Sequence, residues 1–120
     1  MATTSDTNKR CGERVQVNQT VEIQNPLKPV TTPSYAKLLD LSSCGLAFVG
    51  TEFYSRDTEL TLVFTLPDYE TNETLSITSK VERSQAVQNK FLTGLTFPCL
   101  TAHEDLIIRA YINFHRRFQA

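Results

Sequence analysis

The sequence predicts an all-β protein, an antiparallel barrel or sandwich, that ends in an α-helix. Short segments of alternating apolar and polar residues recur from Val15 onward, each bounded by turn residues. The C-terminal stretch abandons that period for a helical one. The chain has 120 residues, 40% apolar and 21% charged, which is ordinary usage for one domain with one core.

The elements follow in order. Residues 1–8 read as a flexible tail, because they hold no apolar residue with partners at a strand or helix period. Val15, Val17, Val21 and Ile23 keep one face apolar, interrupted at Gln19, and predict the first strand. Pro26, Pro29 and Pro33 break it, since proline has no N–H to give a ladder. Tyr35 to Leu41 is the second strand, Ser42 to Gly45 a turn, and Leu46 to Val49 the third strand. Leu60, Leu62, Phe64 and Leu66 mark the fourth strand. Leu75, Ile77, Ser79 and Val81 mark the fifth. Phe91 to Phe97 is the sixth, and Gly94 inside it signals a bend or a close backbone approach. Thr101 and Glu104 form a capping box, and Ile107, Tyr111, Phe114 and Phe118 then define one helical face to pack on the sheet.

Charge excludes several functions. Thirteen acidic and twelve basic residues leave a net charge of −1, which gives no basic groove for a nucleic-acid polymer. No apolar run approaches the ~20 residues of a membrane span, and the polar start lacks a signal-peptide core. A cytoplasmic location is therefore expected, without membrane insertion. Cys11, Cys44 and Cys99 are widely spaced without a Cys-x-x-Cys, so no metal site is expected, and in a reducing compartment they read as free thiols.

Two short motifs carry chemistry. Arg10-Cys11-Gly12-Glu13-Arg14 places two guanidinium forks just before the first strand. Such a fork matches a phosphate or the O6 and N7 edge of guanine. Asp40-Leu41-Ser42-Ser43-Cys44-Gly45 lies between the second and third strands. Asp and Ser shape turns by bonding nearby amides, Gly45 can take positive φ, and an exposed Asp could accept N–H donors from a base. Each motif alone is common, whereas both in one chain occur by chance in about one chain in a hundred.

Arg10, Arg14, Asp40, Ser42 and Gly45 resemble the two signatures of the PilZ domain, the bacterial cyclic di-GMP receptor. Arg14-Val15 leading into the first strand, and the run Phe91 to Phe97 with its internal glycine, also look like that family. The likeness extends over residues 9–120 and implies a six-stranded antiparallel barrel with a C-terminal helix. It implies that Arg10 and Arg14 grip guanine edges and phosphates, that Asp40 accepts hydrogen bonds from a guanine, that Ser42 adds a polar contact and that Gly45 permits the turn. Family members often carry arginine where Lys9 stands, so either one ligand or an intercalated pair is compatible. Arg83, at the end of the fifth strand, is a further candidate. The implied mechanism is closure of the segment 9–14 over the ligand, which signals to a partner protein in trans.

That reading is of a bacterial second-messenger receptor, not an enzyme, with cyclic di-GMP as ligand and no cofactor. Motility or biofilm regulation, polysaccharide export, pilus assembly and chemotaxis are all settings the resemblance implies, and no residue chooses among them. Two alternatives stand beside it. One is a protein adaptor on the same fold that does not bind nucleotide. The other is an oligonucleotide-binding barrel using Phe48, Phe53, Tyr54, Phe64 and Tyr69, most of them at expected core positions.

Overall fold

The computed structural model describes residues 14–26, 34–67 and 72–119, with backbone alone at 67, 72 and 116–119. Its strands are β1 (Val15–Gln24), β2 (Ser34–Ser42), β3 (Gly45–Gly50), β4 (Glu59–Pro67), β5 (Asn72–Val87) and β6 (Lys90–Thr96), followed by helix α1 (Ala102–Gln119). The strands form a closed antiparallel barrel in the order β1-β2-β3-β6-β5-β4. Three pairs, from Glu22↔Val63 to Gln24↔Thr61, join β4 back to β1 and remove the free edges.

Side-chain alternation explains the closure. Val15, Val17, Val21 and Ile23 of β1 point inward, as do Leu60, Leu62, Phe64 and Leu66 of β4. Leu38, Leu41, Leu46, Phe48, Leu75, Ile77, Val81 and Leu95 fill the rest of the interior. Each buried aliphatic or aromatic side chain contributes roughly 1.5–3 kcal/mol, so a one-residue slip of any strand would forfeit several such contributions at once. The buried Thr93 hydroxyl is satisfied by the half-buried Ser84 hydroxyl at 3.0 Å.

The helix is capped as expected. The Glu104 carboxylate accepts from the Thr101 amide at 3.0 Å, and the Glu104 amide donates to the Thr101 hydroxyl at 3.1 Å. Its buried stripe differs from the expected one by about one position. Ile108, Tyr111 and Ile112 enter the core, while Ile107 is only partly covered. The helix lies against β1, β2 and β4, and the i, i+3, i+4 set 108, 111 and 112 is the one that faces them.

Other expectations change in detail. The fifth strand runs on to Val87, well past Val81, so Arg83 lies inside it rather than at its end. The extension was hard to read because Gln85, Ala86 and Val87 are all exposed, so no core imposes alternation there. Gln19 interrupts the apolar face of β1 where the register with β2 shifts, between Gln16 and Gln19. Among the aromatics weighed for base stacking, Phe48, Tyr54 and Phe64 are buried in the core. Phe53 is exposed and packs edge-on to Phe91, and Tyr69 lies outside the described residues. No helix among the described residues is long and apolar enough to cross a membrane.

Candidate functional site

The two sequence motifs meet where β1 begins and β2 ends. Val15 pairs with Leu41 and Gln16 with Asp40, so the chain just before β1 runs beside the second motif. The Arg14 guanidinium there donates to the Asp40 carboxylate at 2.5 Å. About half of the Arg14 side chain and a third of the Asp40 side chain remain exposed. Exposed pairs of this kind are worth ~0–1 kcal/mol. A bidentate contact to a base edge is worth ~1–3 kcal/mol, so a ligand offering one could displace this ion pair.

From Asp40 a row of outward-facing positions crosses the barrel. Asp40 pairs with Ala47, Ala47 with Gly94, and Gly94 with Arg83. Their neighbours Leu41, Leu46, Phe48, Thr93 and Leu95 point inward, which fixes the row on the outer face. The row therefore reads Gln16, Asp40, Ala47, Gly94, Arg83. Asp40 and Arg83 stand three strand spacings, or about 14 Å, apart along it. Ala47 and Gly94 are a low floor between them. A Cβ built on Gly94 would meet nothing within 4 Å, so the glycine leaves open space rather than admitting a close backbone.

Three β-bulges border this row. The register shifts between Gln16 and Gln19, between Leu38 and Asp40, and between Val81 and Arg83. Bulges re-aim side chains, and here they reset the alternation. Val81 is buried, yet both Glu82 and Arg83 are exposed. Plain alternation would have sent Arg83 inward.

The turn after β2 is built by its own residues. Ser42 is 1% exposed, its hydroxyl accepts from the Cys44 amide at 3.1 Å, and it donates to the Gly45 carbonyl at 3.3 Å. The Cys44 carbonyl accepts from the Phe97 amide at 2.9 Å, which pins the turn to the end of β6. Gly45 is required for a reason other than positive φ, which no glycine among the described residues adopts. A Cβ at Gly45 would lie 2.1 Å from the Leu95 carbonyl oxygen, inside the β3–β6 ladder. The expectation of free thiols also needs correction: Cys99 is free and exposed, but Cys44 is disulfide-bonded.

Of the sequence-derived site residues, the fold brings Arg14, Asp40, Ser42 and Gly45 into one corner and puts Arg83 at the far end of the row. Lys9 and Arg10 lie outside the described residues. Sequence reasoning missed Gln16, Ala47 and Gly94 as a shared surface. Their common row depends on cross-strand register, which no local pattern reveals. The next outward pair, Lys37↔Val49, borders an open groove of about 390 Å³ that also involves Tyr35 and Lys90. No cluster of potential metal ligands occurs among the described residues.

A closed six-stranded antiparallel barrel with a C-terminal helix is the PilZ-like architecture that the sequence led one to expect. The solved structures that share it include the Bacillus subtilis inhibitor of motility, MotI/DgrA, with a TM-score of 0.76 and 17% identity over 88% of this chain and 50% of that one. They also include the Borreliella burgdorferi PlzA protein in complex with c-di-GMP, with a TM-score of 0.53 and 12% identity over 99% of this chain and 58% of that one. The chain thus spans half, or a little more, of the length of these structures, and at such identities the likeness is one of fold. No family model and no curated protein matches the sequence.

Proposed function

We propose that residues 9–120 form a receptor module for cyclic di-GMP and that the outer row from Gln16 to Arg83 is its binding surface. The observation that carries this reading is the meeting of Arg14 with Asp40 at one end of a small-residue floor that ends at Arg83. Arg14 and Asp40 offer complementary donors and acceptors to a guanine: the guanidinium to O6 and N7, the carboxylate to the N–H groups of the opposite edge. In the free protein they satisfy each other, so ligand exchanges one weak exposed pair for two charge-assisted contacts.

Ala47 and Gly94 leave room for a flat ring against the sheet. Arg83 then supplies a positive charge for phosphate at the other end. Ser42 and Gly45 act through the turn, which holds Asp40 in place. Arg10 and Lys9 add positive charge from the segment preceding β1, as their place in the first motif suggests. Ordering of that segment by ligand is the signal passed to a partner protein in trans. PlzA was crystallised with c-di-GMP on a related fold, and MotI/DgrA is an inhibitor of motility, and both support the reading.

Calorimetric titration with cyclic di-GMP tests it. Saturable binding is expected, weakened by about one to two orders of magnitude in Arg14→Ala or Asp40→Ala, since each removes a contact worth ~1–3 kcal/mol. Unaltered affinity in both variants, or no binding by the unsubstituted chain, would contradict it. In the second case the adaptor reading would take its place.

A further inference from the structure

We infer that the outer edge of β5, from Arg83 to Val87, pairs antiparallel with the same edge of a second copy of this chain and joins two barrels. The inference goes beyond the receptor reading and stands without it.

The edge exists because β5 outruns its neighbour. β4 pairs with β5 only from Pro67↔Asn72 to Glu59↔Lys80. The loop before β4 extends that cover by one residue. The Asp57 amide donates to the Val81 carbonyl and the Val81 amide to the Thr58 carbonyl, each at 2.8 Å. On its other side β5 stays paired with β6 as far as Val87↔Lys90. Among the described residues no backbone hydrogen bond reaches the free side of β5 beyond Val81. Arg83, Gln85, Ala86 and Val87 are exposed and Ser84 is half-buried, as an uncovered edge requires. Closure thus seals the barrel but leaves one side of this hairpin open.

The backbone groups of the edge are spaced for a strand. Val87↔Lys90 flanks the two-residue turn Gln88-Asn89 and is therefore a hydrogen-bonded pair. Bonded and non-bonded pairs alternate, so Gln85 also bonds to β6, while Ser84 and Ala86 turn their N–H and C=O groups outward. An extended strand laid beside them meets these groups directly. Sheet edges are ordinarily blunted by lysine, proline or a bulge. Here the bulge lies at the start, between Val81 and Arg83, and Ser84 to Val87 carry neither charge nor proline.

The side chains fit a second copy. In a two-fold antiparallel pair the contact is self-complementary. Ser84 and Ala86 both find partners when each faces the other residue of the second copy, which sets Gln85 against Gln85. A side-chain amide carries donor and acceptor together, so Gln85 can bond to its own copy. Arg83 then faces Val87 of the second copy. Its aliphatic stem covers an apolar side chain that is 42% exposed in the single chain. No like charges stand opposite, because the two Arg83 residues lie about 13 Å apart along the strands.

Sedimentation equilibrium of the full chain, from micromolar to millimolar concentration, tests the pairing. A reversible dimer with twice the mass of the 13.6 kDa chain is expected. Gln85→Lys sets two ammonium groups against each other and should weaken the dimer about tenfold, while the chain stays folded because Gln85 is exposed. Gln85→Glu should do the same. An equimolar mixture of the two variants should dimerise more tightly than either alone, since the facing charges are then opposite. An unsubstituted chain that stays monomeric throughout would overturn the inference and leave the edge to an extended strand of another protein. A dimer as tight in both variants as in the unsubstituted chain, or a mixture no tighter than either variant, would also overturn it.

Discussion

Gly45 and Gly94 face each other's strands yet are needed for opposite reasons. At Gly45 a methyl group would strike the Leu95 backbone, which cannot give way without parting β3 from β6. Gly45→Ala is expected to cost several kcal/mol, in the range of overpacking and lost ladder bonds, visible as a large drop in Tm. At Gly94 a methyl group would enter open space, so Gly94→Ala should leave Tm unchanged or slightly raised. A bulkier Gly94→Val would fill the floor and weaken cyclic di-GMP binding while the protein stays folded. Both glycines were visible in the sequence, but their reasons were not. Positive φ was the expected reason at Gly45 and close approach was one expected at Gly94, whereas the register gives the close approach to Gly45.

Tyr54 makes a pH dependence readable at the same scale. Burial raises its phenol pKa well above the ordinary value of 10.0, and the charge of Glu52 and the hydrogen bond to it add to the effect. The Tyr54 hydroxyl donates to the Glu52 carboxylate at 3.1 Å. The unfolded chain therefore loses this proton near pH 10 while the folded chain keeps it. The stabilisation is complete below pH 10 and declines as pH rises from there toward the folded value. Thermal melts at pH 9 and pH 11 should show that decline, and Tyr54→Phe should reduce it. An identical decline in the variant would assign it to other groups.

At the scale of elements, the helix separates local from tertiary control. Its start was legible, since Thr101 and Glu104 cap each other through their own backbone. Its buried face was not, because four residues of similar apolarity lie at 107, 108, 111 and 112 and only the barrel selects among them. Ile108→Ala should cost ~2–5 kcal/mol as a cavity in the core, and Thr101→Ala about 1 kcal/mol as a lost cap. Urea titrations of the two variants would check the ranking, and equal losses would mean that the helix is not seated as described. The strands show the same division. Alternation marked the first, fourth and fifth, and flanking turn residues marked the second, third and sixth, but the outer half of β5 carries no apolar period.

At the scale of the whole molecule, the fold class was written in periodicity, while the proposed site is a property of the closed sheet. Arg14 and Asp40 are 26 positions apart and Arg83 a further 43 beyond Asp40. Three bulges and a particular strand order bring Asp40 and Arg83 onto one outer row and set Arg14 against its Asp40 end. Short motifs found the corner at Arg14, Asp40 and Gly45. They could not find Ala47 as part of a floor, because alanine has no signal of its own, and they gave Gly94 only a structural meaning.

The most direct test of the proposed surface is residue-resolved NMR of the labelled chain titrated with cyclic di-GMP. The amides of Gln16, Asp40, Ala47, Gly94 and Arg83 should shift together and saturate at one midpoint, with smaller changes over β4. Shifts centred instead on the groove at Tyr35, Lys37 and Lys90, or no shifts at saturating ligand, would contradict the assignment of this row as the nucleotide site.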